Sequence, residues 1–322
     1  MLLKYKKTNI TFFISFYLFL VILLFSFSFK FFITSFEKIE DTSNKNKVIT
    51  ILNTINNNIE NLKMNTRDYS NWDDTYEFIH DENKEYIETN FREGTHTLEE
   101  LNLDVMIFHN IEDKVIFSKY VNSFLEENKN DFEKLIIKKF KNTNKLGTIV
   151  NYKSKLLYVS KNEILKSDST GEVKGFVTTI KELDIEDFSE ENTIFKKIEL
   201  SENKSHKYQL SLNFGAIGDV KVYIIKENEI INNIQFFDEK ENYIISIIAY
   251  SERKIVNNGK TTIYIYNFIV AIALLFVFYF IYRNQYLIEN QNQILNKEID
   301  RRTRQLDKAF RKLKDKNKEL YT

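Results

Sequence analysis

Two apolar runs, Ile10–Phe29 and Ile263–Tyr282, bracket every histidine and every glycine of this chain. Each is about 20 residues long, enough to cross a hydrocarbon core of roughly 30 Å as a helix. A backbone in lipid has no water to satisfy its N–H and C=O groups, so both runs are constrained to be helical. The first run extends through Phe31, Phe32 and Ile33 without a small-x-small cleavage pattern. It is longer than the apolar core of a signal peptide, about 7–15 residues, and reads as a retained anchor over 10–33. Lys30, near its outer edge, reaches the headgroups on its own methylene stem.

Charge then orients the chain. Lys4, Lys6 and Lys7 precede the first run, residues 283–322 carry a net charge of +5, and 36–262 carry −9, although the whole chain sums to zero. Basic flanks stay in the cytoplasm. The expectation is a two-pass protein of the cell (inner) membrane. Residues 1–9 and 283–322 are cytoplasmic, and 36–262 form an extracytoplasmic domain.

That exported region is long enough to bury a core. It holds no Cys, which excludes disulfides and thiolate metal sites. None of His80, His96 and His109 has a second His four residues away, the spacing a zinc helix uses, so no metal and no cofactor is expected. Asp73 and Asp74 are adjacent, so on a helix they diverge by about 100° and cannot act as paired catalytic carboxylates. Exported catalysis is therefore disfavoured.

Within it, Val48, Leu52, Ile55, Ile59 and Leu62 step by three and four, an apolar stripe on a helix continuous with the first membrane span. The stripe fits either packing on its own domain or a dimer helix. A helix over Asp68–Ile79 and a charged segment Asp81–Glu88 follow. Leu103–Phe108 and Lys114–Tyr120 then read as a hairpin around Asn110–Asp113. After a helix at Asp131–Phe140 come strands Gly147–Tyr152, Lys155–Ser160 and Val173–Ile180. Strand, strand, helix and three strands is the order of a PAS-like antiparallel sheet, here spanning about 65–184. A helical linker at Ile185–Leu200 leads to a second strand-rich part over about 200–255, with Tyr208–Phe214, Val220–Lys226, Glu229–Phe237 and Tyr243–Tyr250. The fold class is thus α+β, PAS/Cache-like; whether it has one sheet or two stays open.

The sharpest local signal is Asp68-Tyr69-Ser70-Asn71-Trp72-Asp73-Asp74-Thr75-Tyr76, holding the single tryptophan. On one helix, Asp68, Trp72, Thr75/Tyr76 and Ile79 share a face. Trp72 offers a flat apolar surface with one N–H donor, and flanking carboxylates suit a cationic or hydroxylated ligand. The competing reading is a core helix anchoring the sheet through its Trp. We expect a pocket between the concave sheet face and this helix, with Trp72, Asp73 and Tyr76 first and Asp68 and Asn90 in support.

This run resembles the fourth class of CHASE extracellular sensory domain. The resemblance rests on Asp68 and the Trp72-Asp73-Asp74-Thr75-Tyr76 core. It continues through Tyr86-Ile87-Glu88-Thr89-Asn90, Leu101–Phe108, Lys145-Leu146-Gly147 and Gly171-Glu172-Val173-Lys174-Gly175. It covers roughly Ile39–Lys260. Family sequences commonly carry Pro between Leu157 and Ile164 and in the last hairpin, and this chain has none. The resemblance implies a sensory input, of the kind found on bacterial histidine kinases, diguanylate cyclases and phosphodiesterases.

Past Arg283, Ile299, Leu306, Leu313 and Leu320 repeat every seven residues, with Thr303, Phe310 and Asn317 at the alternate core position. Ile288 and Leu295 are out of phase by four residues, a stutter. A parallel homodimeric coiled coil over 283–322 is expected, the alternative being a basic helix on anionic lipid. This segment holds no His or Gly, so it offers neither a phosphoacceptor histidine nor a phosphate-cradling loop. The expected function is the membrane-bound input module of a histidine kinase or diguanylate cyclase type pathway. It would detect an extracytoplasmic small molecule and signal to an output domain or partner outside this chain, without nucleic acid. The alternative is a non-switching envelope anchor with a sensor-like fold.

Overall fold

The structure is a computed structural model. It describes residues 2–92, 94–141, 146–184, 188, 195–205, 207–215 and 217–320, with the side chains of 2–10 and 315–320 outside the description. Two helices dominate its ends, α1 (Leu2–Ser70) and α7 (Lys254–Leu320). Each is long and apolar enough to cross a membrane. Between them lie α2 (Asp73–Asp81), α3 (Lys84–Phe91), α4 (Thr97–Glu100), α5 (Ser123–Glu127) and α6 (Lys129–Phe140). The chain divides into two compact units, residues 1–39 with 254–322, and residues 40–253.

In the first unit the two apolar helices pack on each other. Ser28 Oγ donates to Asn267 Oδ1 at 2.8 Å and Tyr17 Oη to the Ala271 carbonyl at 3.1 Å. Phe13 and Tyr17 meet Phe278 edge-on. Such buried polar contacts satisfy groups that lipid cannot. Farther along, Phe36 presses on Gly259 more closely than any Cβ would allow.

The second unit holds two five-stranded antiparallel sheets. The first, β1 (Val105–Asn110), β2 (Val115–Tyr120), β3 (Gly147–Tyr152), β4 (Lys155–Glu163) and β5 (Gly175–Glu182), has the order β2-β1-β5-β4-β3. This is the PAS-like arrangement, with α5 and α6 between β2 and β3. The second is β6 (Lys197–Ser201), β7 (Leu210–Phe214), β8 (Gly218–Lys226), β9 (Glu229–Phe237) and β10 (Tyr243–Glu252), in the order β6-β10-β9-β8-β7. Among the described residues this unit therefore has two sheets.

Alternation along β1 decides the layers. Met106 and Phe108 face α1 to α4, while Val105 and Ile107 face α5 and α6 through Leu125, Phe132, Ile136 and Phe140. The α1 stripe Val48, Leu52, Ile55, Ile59 and Leu62 is buried in the same cluster as Val220, Ile234 and Ile247 of the second sheet. The stripe is filled by its own domain, so the dimer-helix reading of it does not hold. The helical linker over Ile185–Leu200 is also corrected. Lys197–Ser201 alternates with period two and pairs with β10 as strand β6, Ala249 opposite Ile198. Residues 185–187 and 189–194 lie outside the described residues, as does Lys145 of the resemblance.

Two polar links tie α1 to the second sheet. Asn44 and Asn232, both buried, exchange amide hydrogen bonds at 2.7 and 3.0 Å. Glu40, buried, accepts from Arg253, the single residue between β10 and α7.

Candidate functional site

The aromatic-acidic motif does not form one helix. Hydrogen bonding from the distant β4–β5 segment ends α1 at Ser70. The Ser70 carbonyl accepts from Leu165 N–H at 3.1 Å, and Ser70 Oγ accepts from Asn162 Nδ2 at 2.6 Å. Trp72 is extended, at φ −106° and ψ 138°, and α2 restarts at Asp73. Asp73 and Asp74 then fall in the first turn of α2, where carboxylates suit the positive end of the helix dipole. The expected shared face of Asp68, Trp72 and Tyr76 is therefore broken between Asp68 and Trp72.

At this joint Asp73 and Ser167 clip to each other. Asp73 Oδ1 accepts from Ser167 N–H at 3.0 Å, and Asp73 N–H donates to Ser167 Oγ at 3.2 Å. Asn71 Nδ2 adds a bond to Ser169 Oγ at 3.2 Å. Tyr76, half-buried, lies against this loop, with the Lys166 and Lys174 ammonium groups 5.8 and 5.9 Å from its ring centroid. Both are cation–π contacts, since the ring face is electron-rich.

Trp72 is 40% exposed and lies 4.9 Å from Tyr69, tilted by 37°. It does not anchor the sheet. Phe78 does so, stacked on Tyr86 at 4.4 Å and edge-on to Phe108 at 5.7 Å. Thr75 and Tyr86 hydroxyls bond at 2.7 Å in this layer, and burial pushes the Tyr86 phenol well above its usual range. The space between the concave face and α2 is thus filled by Phe78, Tyr86, Phe91 and Phe108, and the expected pocket is not there. Asp68 is exposed. Asn90, half-buried in α3, donates to the Tyr86 carbonyl at 3.0 Å, while its own carbonyl accepts from Thr97. The structure brings Trp72, Asp73 and Tyr76 to one joint. Asn90 is instead bonded within α3 and to Thr97. Sequence reading missed Ser167 and Ser169, whose only signal was a turn-rich loop.

His109 closes the far end of β1 beside a bulge. It is 1% exposed, stacked on Phe176 at 5.2 Å, and its Nε2 has no hydrogen-bond partner among the described residues. Burial, then the Lys161 charge, lower its pKa to about 4. Among the described residues no group of His, Asp and Glu is arranged to hold a metal ion.

Residues 54–194 match the family model of the CHASE4 domain. That interval takes in the second half of the α1 stripe, the joint and the whole first sheet; the second sheet lies beyond it. Over those residues the chain is thus similar to CHASE4, a sensory and non-catalytic input domain of signalling proteins. Among solved structures it is similar to the periplasmic domain of Vibrio cholerae LuxQ at 12% identity, covering 63% of this chain and 95% of that one, with a TM-score of 0.41. It is also similar to the periplasmic domain of RsbU from Chlamydia trachomatis at 14% identity, covering 72% and 97%, with a TM-score of 0.29. No curated protein matches it.

Proposed function

We propose that this protein is a two-pass sensor of the cell (inner) membrane with both termini in the cytoplasm. Its extracytoplasmic domain detects a small molecule, and a parallel dimeric coil relays the signal to a kinase- or cyclase-type output. The observation that carries this is a CHASE4 match flanked in sequence by two helices of membrane-spanning length. The −9 charge of the exported stretch against +5 beyond the second span supports the orientation. Single cysteines at Glu241 and Lys308 test it in intact cells. A membrane-impermeant maleimide labels residue 241 alone; labelling of residue 308 instead reverses the topology. The purified chain is expected to incorporate no phosphate from ATP and to make no cyclic dinucleotide from GTP.

Within this reading, the joint is the contact for a cationic or polyhydroxy ligand, with Trp72, Asp73 and Tyr76 first and Asp68 and Asn90 in support. The exposure of Trp72 and Asp73 supports it, as does the acidic charge of the domain.

A further inference from the structure

A cavity lies away from the joint, with four lysines in its lining. It is an open groove of about 630 Å³ between α6, the start of β3 and the β9–β10 turn, within the range of small-molecule sites. Ile217 and Phe237, both almost fully buried, form its apolar floor, and Leu135, 38% exposed, forms a wall.

Lys134, Lys138 and Lys139 of α6 and Lys240 of the turn line it. None of the four has an ion-pair partner within 4.0 Å among the described residues. Of the two carboxylates in the lining, Asp238 is committed to the turn. Its Oδ1 accepts from the N–H groups of Lys240 and Asn242 at 2.9 and 2.8 Å, and its Oδ2 accepts from Asn242 Nδ2 at 3.1 Å. Glu239 is the other, and it too is engaged in an interaction. Four ammonium groups against two carboxylates make this a positive site in a region whose net charge is −9. Lys139 is half-buried, and burial lowers its pKa, with Asp238 opposing. An ammonium partly stripped of water gains most from an anion that replaces the lost hydration.

Helix C-termini attract lysines for their dipole alone, which accounts for Lys138 and Lys139 in the last turn of α6. It accounts for neither Lys240, from a turn about a hundred residues away, nor the apolar floor beneath all four.

We propose that this groove is a second ligand site, separate from the joint, taking a small organic anion: a carboxylate or phosphate head carried on an apolar body. The head meets the lysines and the body lies on Phe237 and Leu135. The groove joins α6 of the first sheet to the β9–β10 turn of the second, so an occupant bridges the two sheets.

Calorimetric titration of the full chain in neutral detergent tests this with phenyl phosphate, phenylacetate, inorganic phosphate and benzyl alcohol. Phenyl phosphate or phenylacetate binds saturably, and whichever is tighter identifies the head. Inorganic phosphate and benzyl alcohol bind at least tenfold more weakly. Lys134→Glu with Lys138→Glu, both at exposed positions, weakens the organic anion at least tenfold at an unchanged melting temperature; Lys139→Gln weakens it less. Lys45→Glu with Lys84→Glu changes net charge equally outside the groove and leaves binding intact. The proposal is overturned if neither organic anion binds, if benzyl alcohol binds as tightly, or if the control pair loses as much affinity as the groove pair.

Discussion

Arg253 donates from Nε to Glu40 Oε2 at 2.9 Å, joining the residue after the last strand to a glutamate of α1 that is almost wholly buried. Arg253 also reaches the Glu227 carbonyl at 3.5 Å. A carboxylate so far from water depends on its counter-charge, and breaking such a pair from one side costs more than replacing both partners.

Arg253→Met is therefore expected to destabilise the domain by roughly 3 kcal/mol. Glu40→Leu combined with Arg253→Met restores much of that. Melting of the full chain in detergent checks it, and a double variant no more stable than the single one contradicts it.

The buried His109 makes stability depend on pH. Its folded pKa of about 4 lies below the ordinary value of 6.5, so the unfolded chain binds the proton first. The stabilisation is whole above pH 6.5 and is lost as pH falls from there towards 4, amounting to about 3 kcal/mol over the window. Lys161 disfavours the imidazolium and Asp113, paired with Lys141 at 2.6 Å, favours it. His109→Phe flattens the pH profile in that window. An unchanged slope in the variant excludes His109 as the source.

Gly175 opens β5 where a Cβ would lie 2.5 Å from the His109 carbonyl and 2.8 Å from Ile79. Neither backbone nor packed side chain yields cheaply, so Gly175→Ala is expected to cost about 2–3 kcal/mol. Chemical denaturation measures it, and a loss below half a kcal/mol would show that the strand shifts freely.

Asp73 separates structure from recognition. Asp73→Asn keeps an oxygen for the Ser167 N–H and removes only the charge, so the melting temperature holds. Asp73→Ala loses the clip, about 1 kcal/mol or roughly 2–4 °C. If the joint binds cations or polyols, spermidine or sorbitol raises the melting temperature of the wild type and not of Asp73→Asn. A large fall in both Asp73→Asn and Trp72→Phe, with no compound active, makes the motif purely architectural.

Leu306, Phe310 and Leu313 stand 70%, 76% and 66% exposed on α7 in a heptad with Ile299 and Thr303. Leu320 lies in the same helix, its side chain outside the description. Exposed apolar heptads bury themselves against a like helix. Cysteines placed singly at 306 and 313 should crosslink to their own copies in membranes more strongly than at Lys308 or Lys312; equal crosslinking removes the coil.

The strands were legible because alternation is local: β3 and β9 fall where period-two reading places them. The α1 stripe was equally plain, every member buried. The break at Asn71–Trp72 was not legible. Helical spacing runs straight through it, and the bonds that end α1 come from Asn162 and Leu165, some ninety residues on. The same distance in sequence hid Ser167 as the partner of Asp73. The lysine groove was hidden because its walls, α6 and the β9–β10 turn, are each unremarkable alone.

The CHASE4 match stops at residue 194, but the apolar cluster does not. Leu52 and Ile55 of α1 share one continuous interior with Phe108 of the first sheet and Phe236 of the second. The family match and the apolar interior thus have different borders here. Residues 40–253 should melt in a single calorimetric transition, and a fragment cut at the family boundary would expose to water the part of that interior that packs on the second sheet.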